Sequence, residues 1–253
     1  MKFLKVDTFY EQEGLSYVHE GEVRDNRFRI IVNVMKSQNV ARHLDVGCAC
    51  GHYCEAISKE FPFVQTVGVD IARSKLATGK KRVHKLQFVA STWDFLPFIP
   101  GSFDLITFFE GLEHTIQPDR TLREIKQQLS ANGCLIVSCP VSTPMMIIPE
   151  MAEVTVNRLL FSIFGFIFRG HLNWFLRPKI YSILKPHFKI EIYSTNMLNH
   201  FPVTRQLKIL VVELLLKPLF YFMPKAKKIV NAYGLLQQSL FTAFLVLENK
   251  QKG

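Results

Sequence analysis

The chain has 253 residues, 48% of them hydrophobic and 21% charged, a balance that builds a globular core and excludes a disordered chain. The net charge of +10 is uneven: residues 1–170 hold 19 Lys+Arg against 18 Asp+Glu, whereas residues 171–253 hold 12 against 3. Five cysteines, three of them crowded into positions 48–54, and an apolar stretch in MKFLKVDTFYEQEG too short for a secretory signal lead us to expect reduced thiols in a cytoplasmic protein.

In chain order, residues 1–40 are expected to be an N-terminal helical region. A short apolar strand over about 42–46 runs into a glycine turn, and a helix over about 52–60 stops before Phe61-Pro62. TVGVD (66–70) reads as a buried strand and ARSKLATGKKRV as an amphipathic helix. LQFVA (86–90) and FDLITFF (103–109) are further strands. PDRTLREIKQQL opens with Pro-Asp and continues with apolar residues at helical spacing, and CLIVSCP (134–140) is a fifth strand. Strands alternating with helices imply a mostly parallel sheet, covered by helices on both faces, in a single domain with a core at 41–140.

Later the pattern changes. FKIEIYST (188–195) alternates as a half-buried strand does, and SLFTAFLVLE (239–248) is a long strand candidate. Residues 141–170 and 197–237 are read as apolar helical insertions. The first carries ten uncharged residues, Leu159 to Phe168, which span about 15 Å of helix, half of a ~30 Å hydrocarbon core. Lys208, Glu213, Lys217 and Pro218 interrupt the second, so neither segment qualifies as a membrane span.

The stretch LDVGCACGHYCEAIS, Leu44 to Ser58, admits two readings. Cys48, Cys50, His52 and Cys54 suggest a metal, but the C-x-C-x3-C spacing lacks the second ligand pair that a structural zinc site needs. The glycines fit better. An apolar strand, Asp45, Gly47, then Gly51 and a helix make a strand–turn–helix in which backbone approaches a ligand. Asp70 ends the second strand, where a carboxylate can accept both hydroxyls of a ribose. The dinucleotide pattern G-x-G-x-x-G is absent.

HLDVGCACG, VGVD, FVASTWDFLPF and GSFDLITFFEGLEHT, in this order between about residues 40 and 140, resemble the class I S-adenosylmethionine-dependent methyltransferases, and LVLENK resembles their last strand. The resemblance implies a Rossmann-like seven-stranded α/β sheet with its final strand antiparallel, and S-adenosyl-L-methionine bound over the carboxyl ends of the first strands. It places Asp45, Gly47, Ala49 and Gly51 at the methionine part of the cofactor, Asp70 at the ribose and Ile71 beside the adenine. Thr92 and Trp93 follow at the adenine edge and Glu110 at the cofactor rim. Two positions depart from the pattern. Ala49 stands where the family has its middle glycine, and Thr92 replaces the acid that meets the adenine amino group.

Glu110, Glu113 and His114 follow the fourth strand, on the side where the methyl acceptor should lie. Two carboxylates and an imidazole could hold Mg2+, which would position and acidify a hydroxyl. The E-x-x-E-H pattern resembles both ubiquinone-pathway O-methyltransferases and small-RNA 2′-O-methyltransferases. Without a metal, His114 is the general base, since imidazole titrates near working pH. His171, in RGHLNWFLRP, is a second acceptor-side candidate, with packing beside Trp174 as its alternative.

The apolar runs are rich in Met, Phe and Leu and suit a hydrophobic small-molecule acceptor. Arg158 and Arg169 flank one run and Lys217, Lys225, Lys227 and Lys228 the other, as in segments that lie on an anionic membrane surface. Nucleic acid is the weaker explanation of the charge, because the cations punctuate aliphatic runs instead of lining a phosphate track. A non-enzymatic domain ranks third. The expectation is an O-methyltransferase acting on a hydrophobic or lipid-like small molecule, peripheral to a membrane.

Overall fold

The computed structural model describes residues 26–141, 177–196 and 241–249, together with residues 155, 158, 159, 172, 173 and 175. Most of the two apolar insertions, with Arg169, Lys217, Lys225, Lys227 and Lys228, therefore lies outside the described residues, as do His171 and Trp174.

The elements are α1 (Asn26–Ser37), β1 (Arg42–Val46), α2 (His52–Glu60), β2 (Gln65–Asp70), α3 (Arg73–Arg82), β3 (Gln87–Ala90) and β4 (Phe103–Phe109). A single 3-10 turn (Leu112–His114) precedes α4 (Pro118–Gln128), β5 (Leu129–Val141), α5 (Arg177–Leu184), β6 (Phe188–Asn196) and β7 (Phe241–Asn249). The sheet has seven strands in the order β3-β2-β1-β4-β5-β7-β6. β1 to β5 pair in parallel, and β7 runs antiparallel to both β5 and β6. Each strand expected from periodicity is present. β5 starts five residues earlier than CLIVSCP, because Leu129 pairs with Phe103 before a register shift resumes the ladder at Cys134.

Alternation along the central strands sorts side chains to two faces. Leu44, Val46, Ile106, Phe108, Leu135 and Val137 pack with Leu122 and Ile125 of α4 on one face. Leu105, Cys134 and Ile136 pack with Ile31 and Val34 of α1 and Ile57 of α2 on the other. Helix α4 starts at a proline in its first position, and its buried Thr121, Leu122, Ile125 and Gln128 recur at the helical period.

Order reversal between β2-β1 and β4 opens a crevice at the carboxyl ends of β1 and β4, where such sheets bind ligands. Helix α3 borders that crevice. Its Gly79 lies so close to the loop after β1 that a Cβ there would stand 2.7 Å from the carbonyl oxygen of Cys50. Glycine inside a helix ordinarily costs about 0.5–1 kcal/mol relative to alanine. Here the usual sign should reverse: Gly79→Ala is expected to lower the thermal midpoint instead of raising it, measured by calorimetry on the full chain.

Candidate active site

Three clusters meet at the carboxyl ends of the central strands. The first is the loop after β1. Gly47, Ala49 and Gly51 all adopt left-handed backbone, with φ of 73°, 50° and 71°, although Ala49 is not glycine. A side chain in that region costs roughly 1–2 kcal/mol, so Ala49 is held there by its surroundings.

The holding bonds are visible. The N–H groups of Gly47 and Cys48 both donate to the carbonyl of Val69, at 2.8 and 2.9 Å. The N–H of Ala49 donates to Oδ2 of Asp70 at 2.8 Å, and the N–H of Ala72 donates to Oδ1 at 2.8 Å. Asp70 thus ties the loop, the end of β2 and the start of α3 to one carboxylate. Burial pushes its pKa up, against the pull of those N–H donors. The two glycines differ in purpose. A Cβ on Gly47 would meet nothing within 4 Å, so backbone there faces open space, whereas one on Gly51 would stand 2.5 Å from the Phe88 ring.

Asp45 sits beneath this loop, only 3% exposed. It pairs in register with Thr107 across β1 and β4, which puts both side chains on one face. The Thr107 hydroxyl donates to Oδ1 at 2.7 Å, and the Cys54 thiol donates to Oδ2 at 3.5 Å. His43, two residues before Asp45, is fully buried with Nε2 3.0 Å from Thr107 Oγ1. Since that hydroxyl gives its proton to Asp45, His43 must donate from Nε2, which leaves Nδ1 buried without a partner. Burial lowers the His43 pKa to about 3 and raises that of Asp45 to about 6. Neither Thr107 nor His43 was singled out in the sequence; a threonine within FDLITFF and a histidine within an apolar strand were the available signals.

The cysteines follow from this packing. Cys48 Sγ would stand 2.7 Å from a Cβ on Gly68, so it fills the space which that glycine leaves. Cys48, Cys50 and Cys54 are free and buried, and burial raises the Cys48 pKa well above its usual value. Protonated thiols are poor metal ligands.

The second cluster is a small cleft, partly open to solvent, lined by Ile71, Thr92, Trp93, Asp94, His114, Ile116 and Leu172. It brings the expected adenine-edge residues Ile71, Thr92 and Trp93 together with the expected base His114. Trp93 also leans on Phe108, with ring centroids 5.9 Å apart. Leu172 is pinned in place: its N–H and that of Asn173 donate to the carbonyl of Glu113 at 2.8 and 2.9 Å. Arg158 donates from Nε to the carbonyl of Leu172 and from Nη2 to Oδ1 of Asn173. Asp94, absent from the expected residues, lines the cleft and accepts from the Thr121 hydroxyl.

The third cluster holds Glu110, Glu113 and His114, the residues of the Mg2+ expectation. Among the described residues no three His, Cys, Asp or Glu side chains group as a metal ion requires. Glu110 Oε1 accepts from the Ser138 hydroxyl at 2.7 Å, and Glu110 itself adopts φ 47°, a strained value for a residue other than glycine. Glu113 is 3% exposed, with Oε2 buried and unpartnered and Oε1 3.8 Å from His114 Nε2. Burial, then the neighbouring Glu110 charge, pushes the Glu113 carboxyl well above the usual range. With Glu113 buried in the core and Glu110 bonded to Ser138, these side chains do not offer the open oxygen set that Mg2+ requires.

Residues 44–137 match the family model described as a methyltransferase domain. Over this stretch the chain is similar to class I S-adenosylmethionine-dependent methyltransferases. The malonyl-[acyl-carrier protein] O-methyltransferase of Legionella pneumophila is 28% identical over 98 residues, covering 38% of this chain and 34% of that protein. The mitochondrial ubiquinone biosynthesis O-methyltransferase of Saccharomyces cerevisiae is 29% identical over 176 residues, covering 67% and 51%. The chain thus spans between a third and about half of the length of these relatives. A solved phosphoethanolamine N-methyltransferase 2 of Haemonchus contortus, in complex with phosphomonomethylethanolamine and S-adenosylhomocysteine, shares the fold. Its TM-score is 0.63 at 18% identity, over 97% of this chain and 58% of that one. The methyltransferase domain fits the family's cofactor on its own geometry, through the open backbone at Gly47 and the strand-end carboxylate of Asp70.

The opposed shifts of His43 and Asp45 have a measurable consequence. A carboxyl raised from 3.8 to about 6 favours folding below pH 4 and loses that contribution as pH rises through 6. Asp45→Asn removes this dependence. Its stability relative to the unsubstituted protein should therefore shift in the variant's favour by about 3 kcal/mol between pH 3.5 and 6.5. Urea unfolding at both pH values measures the shift, and the His43 contribution cancels in the difference.

Proposed function

We propose that the chain transfers a methyl group from S-adenosyl-L-methionine to an oxygen of a hydrophobic small molecule. The observation that carries this reading is the cleft in which Ile71 and Thr92 share walls with His114, Ile116 and Leu172. Two neighbouring functions need that arrangement: an adenine edge and an apolar acceptor wall with one imidazole. The relatives named as O-methyltransferases support oxygen as the acceptor atom.

Bound S-adenosyl-L-methionine supplies a methyl already activated on a sulfonium. The chain's residues then have three tasks. Gly47 and its neighbours admit the methionine end, and Asp70 accepts from the ribose hydroxyls with the lone pairs that Ala49 and Ala72 leave open. Ile71, Trp93, Ile116 and Leu172 exclude water and align the acceptor, and such alignment supplies most of the rate. His114, on the wall of the same cleft, takes the acceptor's proton. The cation-flanked apolar runs would bring the domain to surfaces where hydrophobic acceptors partition. Arg158 contributes less to that role than expected, since its guanidinium holds residues 172 and 173. Among the described residues no helix is long and apolar enough to cross a membrane.

Incubation with methyl-labelled S-adenosyl-L-methionine and extract of the protein's own cells tests the reading. Label is expected in the organic-soluble fraction, undiminished by EDTA and absent with Asp70→Ala; label in RNA instead would overturn the acceptor class. Once an acceptor is identified, His114→Ala is expected to lower kcat by about 10²–10⁴-fold while leaving cofactor affinity within a few-fold.

A further inference from the structure

We infer that Arg82 is a positioning residue for the cofactor loop, clamping it from behind so that Ala49 keeps a backbone conformation which alanine disfavours. This deepens the proposed function and rests on its assignment of the loop to the cofactor.

Three positions of the loop have positive φ, and Ala49 alone among them carries a side chain. Relaxation of Ala49 toward ordinary backbone would move the peptide groups on either side. Both flanks are tied. In front, the Ala49 N–H is bonded to Asp70. Behind, Arg82 donates from Nη2 to the carbonyl of Cys50 at 2.7 Å. The rest of the guanidinium is anchored on α2: Nε donates to Oε2 of Glu55 at 2.7 Å, and Nη1 lies 3.3 Å from Nε2 of His52. Glu55 is steadied in turn by Lys59, whose Nζ donates to Oε1 at 2.8 Å. The planar fork of arginine can serve three partners at once, which an ammonium cannot do in that geometry.

Helix α3 brings Arg82 to this place. Gly79, one turn earlier, permits the helix to press against the Cys50 carbonyl, and Arg82 reaches the same carbonyl from the helix's last turn. With the peptide before Ala49 and the carbonyl one residue beyond it both held, the intervening turn has little freedom. The bland reading of Arg82 is a partly exposed ion pair with Glu55, which would contribute little. The two readings differ in one respect: only a clamp on a strained turn should depend on what occupies position 49.

A double-mutant cycle tests this on the full chain, reading the Kd for S-adenosylhomocysteine by calorimetry, with circular dichroism confirming that each variant is folded. Arg82→Ala is expected to weaken binding about tenfold, or ~1.4 kcal/mol, with Arg82→Lys intermediate. Ala49→Gly relieves the strain by more than the chain entropy it adds. In that background Arg82→Ala is therefore expected to cost about threefold or less. An equal loss in both backgrounds would overturn the clamp, as would an unchanged Kd with only a lowered Tm. Failure of the unsubstituted protein to bind S-adenosylhomocysteine would instead defeat the functional reading, and this inference with it.

Discussion

The carboxylate of Asp70 is the constraint on which the rest of the site depends. It ends β2 and receives the N–H of Ala49 from the loop and the N–H of Ala72 from the start of α3. Without it, the left-handed turn at Ala49 loses its front support and α3 loses an acceptor at its first turn. A buried carboxylate with two backbone donors is costly to rearrange, so the loop's shape is set before any ligand arrives. Preorganisation of that kind reduces the ordering cost of binding a nucleoside.

A second layer supports the first. Thr107 on β4 reaches Asp45 on β1, and Asp45 reaches Cys54 on α2, so the central strands and the helix after the loop share one buried polar chain. His43 joins it at the expense of an unpartnered Nδ1. The chain carries opposite protonation preferences, since burial disfavours the charged form of both groups. On the acceptor side, Glu113 holds residues 172 and 173 through its backbone carbonyl while its side chain stays inside. The turn that presents His114 to the cleft is thereby fixed at its base.

Much of this was legible in the residues. Strand and helix placement followed from apolar runs and from turn chemistry, because β1 runs into Gly47, β2 closes on Asp70 and α4 begins with Pro-Asp. Gly47, Gly51 and Asp70 declared the loop, since their spacing has few other uses. What sequence reasoning missed lies across strands and between elements. The Asp45–Thr107 pairing depends on sheet register, which a linear reading does not show. Arg82 looked like one cation in a basic run, and its reach to Cys50 follows only from how closely α3 packs at Gly79. The E-x-x-E-H pattern sets two carboxylates and an imidazole within five residues, and the backbone decides whether they face one point. The 3-10 turn sends Glu113 inward and His114 outward to the cleft.

The most direct test of the central claim is a crystal structure of the chain with S-adenosylhomocysteine bound. The expected result has both ribose hydroxyls within hydrogen-bond distance of Asp70, with the Ala49 N–H still donating to the same carboxylate and the sulfur directed toward the cleft beside His114. A nucleoside bound elsewhere, or one that displaces the Ala49 bond from Asp70, would contradict it.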